Sequence, residues 1–233
     1  MSIAFRLAII VCAAMALSGC GKSASYHYKL TLSVETPEGV KTGSSVTEVV
    51  GHEVTELLRT MVPTEQHMTF GIRGEALYLD LGPGRRPLIA LLTSFLHGNN
   101  PHWTRDWGPA APFLLQLYGK DRSGDFFDWA RRIAESRGPR PITPADLPDL
   151  VTFPDVNDPK SVVEVDPNDL GATLGPGVEW RAITLEVTDE PVTNGIAEKL
   201  RWLKELTTTL AGTMLTGRDA ASLLNASSFR STR

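Results

Sequence analysis

The chain has 233 residues, with 23 basic and 27 acidic side chains for a net charge of −4, and it contains 16 prolines and 20 glycines. A mildly acidic balance, with charges alternating in sign along the chain, excludes a general nucleic-acid binder, which carries a basic face. The proline and glycine content exceeds what a helical bundle tolerates and points to short strands, turns and a few helices.

At the amino end Arg6 precedes an apolar run from Leu7 to Leu17. The run is too short to cross a bilayer as a helix, which takes about 20 residues, and reads instead as a signal segment. It closes on Leu17, Ser18, Gly19 and Cys20, four residues that resemble the lipobox of bacterial lipoproteins. The resemblance implies that diacylglycerol is attached to the Cys20 sulfur and that cleavage before Cys20 removes residues 1–19. Ala14 and Ala16 also satisfy the small-residue rule of ordinary signal peptidases, so release of a soluble protein by a cut after Ala16 is the competing expectation. The cut before Cys20 leaves the apolar core intact and accounts for a cysteine at that place. Cys12 lies in the removed segment, so the mature chain would keep one cysteine, acylated, and no disulfide. A single acyl chain binds a membrane reversibly, at about 0.8 kcal/mol per buried methylene, whereas the multiple chains of a lipobox cysteine anchor stably. Residues 20–25 are expected to be a flexible tether. Gly21, where many inner-membrane lipoproteins carry aspartate, favours the outer membrane.

Residues 26–224 read as one domain. From Tyr28 to Glu35 apolar Leu30, Leu32 and Val34 alternate with polar neighbours, the period of a half-buried strand. Thr36, Pro37, Glu38 and Gly39 then make a turn, and Ser45–Val50 returns as the partner strand. The spacing of Val54, Leu57, Leu58 and Met61 predicts a short helix over 52–61, ended by Pro63. Alternation resumes over Ala76–Leu81, Gly82-Pro83-Gly84 forms a turn, and an apolar strand follows over Leu88–Leu92. A helix is predicted over Asp125–Ser136 with Phe126, Trp129, Ala130 and Ile133 on one face, stopped by Gly138 and Pro139. Eight prolines between 139 and 176, interspersed with apolar side chains, predict an ordered path with short strands. Trp180–Val187 is a strand, and Ile196, Leu200, Leu203, Leu206 and Leu210 mark a helix over 196–210. Small polar residues over 225–233 predict a frayed end. The resulting fold class is α+β, a mainly antiparallel sheet with two or three packed helices and a proline-rich connecting segment.

The densest chemical cluster is His97, His102, Trp103, Arg105, Asp106 and Trp107. A loop concentrating aromatic and charged side chains suits a binding site: tryptophan offers a stacking surface for a glycan or small polar ligand, and Arg105 with Asp106 orients it. Packing of the tryptophans onto the domain, or against the membrane interface, is the plainer reading. His52, Glu53 and Glu56 fail the zinc-protease helix because position 56 is not histidine. His97 and His102, five apart, do not share a helical face, and no metal set completes them. The acidic groups Asp155, Asn157, Asp158 and Asp166, Asn168, Asp169 superficially match calcium loops. Pro159 and Pro167 and the missing late glutamate favour Asx turns instead. No catalytic residue, metal or cofactor is assigned. Gly82–Gly84 and Gly175–Gly177 read as Gly-Pro-Gly turns.

Three stretches, DLGPGRRPLIALL, LVTFPDVNDPKSVVEVDPNDLGATLGPGV and ITLEVTDEPVTNGI, resemble proteobacterial proteins of unassigned activity, and this resemblance implies no site residues. The function expected is a lipid-anchored envelope protein that binds or scaffolds an envelope protein or glycan without catalysis and without nucleic acid. The competing expectation is a periplasmic hydrolase using His97 or His102 with Asp106 as acid and base.

Overall fold

The computed structural model describes residues 22–54, 68–96, 102–104, 108–109, 111–212 and 219–232. In chain order the elements are β1 (Ser23–Glu35), β2 (Lys41–Glu53), β3 (Met68–Glu75), β4 (Leu77–Leu79), β5 (Leu88–Ala90), β6 (Trp103–Thr104), β7 (Gly108–Pro109), α1 (Ala111–Leu117) and α2 (Phe126–Ala134). There follow β8 (Arg140–Pro141), β9 (Leu150–Thr152), β10 (Val163–Glu164), α3 (Leu170–Leu174), β11 (Glu179–Thr188), α4 (Ile196–Lys199), α5 (Ala220–Leu223), α6 (Ala226–Phe229) and β12 (Arg230–Thr232). Among the described residues no helix is long and apolar enough to cross a membrane.

The fold is α+β with a sheet-dominated core. One antiparallel sheet runs β12-β3-β2-β1-β11-β8, and a second runs β10-β9-β5-β4. The alternation in β1 places Tyr26, Tyr28, Leu30, Leu32 and Val34 on the inner face of the large sheet, joined by Ile183, Leu185 and Val187 of β11. Thr36 and Gly39 close the β1–β2 turn with reciprocal backbone hydrogen bonds of 3.2 and 2.8 Å, and Gly39 supplies the positive φ of 104°. Over that inner face lie α2, through Phe126, Ala130 and Ile133, and the small sheet, through Leu77, Leu79, Leu88, Ala90 and Leu150.

The opposite face of the small sheet is covered too. Ile89 and Val151 pack with Phe153, Leu200, Leu203, Leu224 and Phe229 in a second core. A strand buried on both faces has no solvated side, so β5 reads as an unbroken apolar run, and the one polar residue of β9, Thr152, is buried with its hydroxyl donated to the Pro87 carbonyl at 2.6 Å.

Two glycines of β2 mark where the layers approach most closely. A Cβ at Gly43 would meet Leu79 Cδ1 at 3.2 Å, and one at Gly51 would overlap the ring of Phe126. The helix carrying that ring starts at Asp125, whose Oδ1 accepts the backbone N–H groups of Phe127 and Asp128 at 2.9 and 3.1 Å. This is the N-cap arrangement that satisfies otherwise orphaned donors.

Four expectations are corrected. His52 and Glu53 belong to β2, paired with Ser23 of β1 and with Thr69 and Met68 of β3, because the hairpin register carries the strand past Val50; residues 55–61 lie outside the described residues. The sheet begins at Ser23, so Ser23, Ala24 and Ser25 are paired strand and not tether. The predicted helix over 196–210 divides into α4 and a 3-10 turn over Arg201–Lys204, because Leu200 leaves the helical region at φ −111°, ψ 77°. Its apolar stripe is nonetheless buried at Ile196, Leu200, Leu203 and Leu210, and the β-branched run Thr207–Thr209 disfavours further helix. Finally, the tail is stitched in: Phe229 is fully buried, its carbonyl accepts the Ala76 N–H at 2.7 Å, and Arg230–Thr232 pair with β3.

Candidate functional site

Of the predicted cluster, His102 and Trp103 are described; His97, Arg105, Asp106 and Trp107 lie outside the described residues, as does Cys20. Trp103 is 2 % exposed and meets Tyr28 of β1 edge to face at 5.8 Å between ring centres, while its indole N–H donates to the Asp146 carbonyl. An indole so placed is a core side chain and cannot stack a glycan.

His102 is about one-third exposed and stacks on Phe113 of α1 at 4.1 Å between ring centres. Its Nε2 stands 3.5 Å from Asp146 Oδ1. The other oxygen, Oδ2, accepts the Thr143 N–H at 2.9 Å and the Thr143 hydroxyl at 2.7 Å, closing the 3-10 turn Pro144–Asp146. The partner that sequence reading missed is therefore Asp146, 44 positions from His102 and with no local signal to join them. Its carboxylate holds a turn together and its carbonyl holds Trp103, which is structural work.

The acidic groups of the proline-rich segment serve their own backbones. Asp155 and Asp166 Oδ1 accept the N–H groups of Asn157 and Asn168 at 2.9 and 2.8 Å, and Asp158 and Asp169 cap Lys160 and Ala172. These are Asx turns and helix caps. Among the described residues no three histidine, cysteine or acidic side chains gather as a metal ion would require.

A different site is built where three turns meet. The β1–β2 turn brings Pro37 and Glu38, the first Gly-Pro-Gly turn brings Gly82–Gly84, and the second brings Gly175–Gly177 against Pro37; a Cβ at Gly177 would lie 3.0 Å from Pro37 Cγ. In both turns the flanking glycines repeat one geometry, φ 105° then 75°. Proline followed by a residue at positive φ is the type II pattern, and Arg85 N–H closes the first turn on Gly82 O at 3.1 Å. Between the turns opens a cleft of about 410 Å³ lined by Glu38, Arg85, Arg86, Thr173 and Gly175.

Arg85 grips Glu38 in a two-pronged ion pair, Nε to Oε2 at 2.7 Å and Nη2 to Oε1 at 2.9 Å. This fork fits a carboxylate geometrically. It holds the Glu38 carboxyl below its ordinary range and raises the guanidinium correspondingly. Arg86, beside it, is exposed and makes no ion pair among the described residues.

The chain matches no protein-family model, no curated protein and no solved structure.

Proposed function

We propose that this chain is a lipid-anchored cell-envelope protein whose α+β domain is a non-catalytic binding module. The observation that carries the reading is the distance between the lipobox and the first strand. Only Gly21 and Lys22 separate Cys20 from β1, which then runs 13 residues to the turn beside the cleft. At about 3.3 Å per residue the strand spans roughly 40 Å. An acylated Cys20 would hold the start of β1 at the bilayer, with the cleft at the opposite end of the strand and open to the surrounding space. Gly21 supports the outer membrane as the destination.

The hydrolase reading has the His102–Asp146 pair on its side, since an imidazole beside a carboxylate is a usable acid–base element. Against it, Asp146 Oδ2 is already committed to the Thr143 N–H and hydroxyl, which makes the carboxylate a structural group. The binding module is the better account.

Labelling with tritiated palmitate and fractionation of envelopes test the anchor. Label in the wild-type chain, its loss in Cys20→Ser, and movement of that variant out of the membrane pellet are the expected results. An unlabelled wild-type chain, with Cys20→Ser fractionating identically, would overturn the reading.

A further inference from the structure

We propose that the cleft between the two Gly-Pro-Gly turns is an oxyanion site, which takes the carboxylate or phosphate group of a small polar ligand on Arg86 and the free Nη1 edge of Arg85. It names the ligand class of the binding module and rests on that reading for its setting. Anchorage and ligand binding are read by separate experiments, so either fails without the other.

The charge balance of the cleft comes first. Lys41, whose Nζ lies 3.6 Å from where a Gly82 Cβ would stand, joins Arg85 and Arg86 as a third cation at this end of the sheet. The carboxylates at this end of the sheet are Glu38, Asp80, and Glu35 with Glu179, which face each other across β1 and β11. Both Glu38 oxygens are taken by Arg85, and Asp80 Oδ1 accepts the Gly82 N–H at 2.8 Å. Among the described residues Arg86 and Lys41 make no ion pair, whereas the Arg85 charge is matched by Glu38. Nearby donors held in a concave space attract an anion more strongly than scattered surface charges do.

Geometry then supplies the donors. The Glu38 fork uses Nε and Nη2 of Arg85, fixing the guanidinium plane and leaving Nη1 directed toward Gly175, where an added Cβ would be 3.7 Å away. A guanidinium immobilised by one carboxylate has already lost the rotamer freedom that binding a second would cost. Arg86 contributes a full five-donor fork with no competing partner among the described residues, and Thr173 also lines the cleft. The volume of about 410 Å³ admits a ligand larger than a bare ion, within the range of small-molecule sites. The flanking glycines keep both walls low: Gly84 at φ 75° and Gly175 at φ 105° are conformations other residues rarely adopt.

The experiment is titration of the full chain as expressed, acylated or not, in nonionic micelles at fixed ionic strength. Two probes are used, inorganic phosphate and N-acetylalanine, with N-acetylalanine amide as the neutral control, and arginine and backbone amide shifts are followed by NMR. Saturable shifts at Gly84, Arg85, Arg86 and Thr173 with one or both anions, and none with the amide, are expected; the tighter probe tells phosphate from carboxylate. Arg86→Gln should weaken binding about tenfold, the loss of one charge-assisted contact, with Arg86→Lys intermediate. Arg131→Gln, on the exposed side of α2, should leave it unchanged. Thermal melting of each variant confirms that it folds. Linear, unsaturable shifts with both anions, or an Arg86→Gln chain that titrates like the wild type, would overturn the site.

Discussion

The ring of Phe126 occupies the space where a side chain at Gly51 would stand, and this contact seats α2 on the large sheet. The ring also meets Phe70 of β3 edge to face at 4.9 Å and Tyr26 of β1 at 6.4 Å, so it has no direction in which to retreat. Gly51→Ala should therefore lower stability by about 1–3 kcal/mol, the cost of overpacking a filled core. Gly43→Ala meets the flexible end of Leu79 and should cost less. Urea denaturation of the two variants checks the order; a Gly51→Ala midpoint equal to wild type would mean that the helix is seated elsewhere.

Asp146 joins Thr143, His102 and Trp103 through different atoms, and these roles separate by mutation. Asp146→Ala removes the acceptor for the Thr143 N–H and hydroxyl and should cost about 1 kcal/mol, as lost caps do. The bond to Trp103 is accepted by the backbone carbonyl, which alanine retains. The expected result is a lower melting temperature with the buried tryptophan's emission unmoved. A large red shift would show that the carboxylate, and not the carbonyl, keeps Trp103 inside.

Phe229 carries the second core. It lies edge-on to Trp202 at 5.5 Å and tilted to Phe153 at 6.1 Å, while the next residue, Arg230, donates Nη2 to the Leu203 carbonyl at 2.8 Å. Phe229→Ala should cost about 3–5 kcal/mol, the loss of a buried aromatic together with the cavity it leaves. A calorimetric melt that barely moved would return the carboxyl end to the frayed state that its polar composition implies.

That tail shows where sequence reading stops. Asn225, Ser227 and Ser228 look solvated, yet Asn225 caps α6 by accepting the Ser227 N–H at 2.9 Å, and the one large apolar residue, Phe229, docks the segment. The β1–β2 hairpin, α2 and β11 were legible because each has its own period and its own stop signal: Pro37 with Gly39, Asp125 with Gly138, and the alternation of Ile183, Leu185 and Val187. The extension of β2 through His52 was not, because the partner strand and not local preference decides it. The candidate site follows the same division. Each Gly-Pro-Gly turn is visible locally, but that the two flank one cleft with Arg85 between Glu38 and Gly175 depends on sheet packing over some 90 positions of chain.

The Arg85–Glu38 pair gives the acid side of the stability profile a defined sign. Glu38 binds its proton less readily in the folded chain than when unfolded, first because Arg85 donates to it, so acidification favours the unfolded state. The contribution is complete above the ordinary glutamate value of 4.5 and drains away as pH falls through the lower folded value. Asp121, held by Ser123, and Asp219, held by Ser222, shift the same way, so the acid limb has several sources and Arg85→Gln removes one of them. In carbon-detected carboxyl titrations the Glu38 midpoint should lie below 4.5 in the wild type and rise toward it in Arg85→Gln. Urea midpoints of that variant should approach those of the wild type as pH falls below the folded Glu38 value, since both have then lost the pair. A Glu38 midpoint unchanged by the substitution would mean that the fork does not persist in solution, and the immobilised guanidinium of the cleft would go with it.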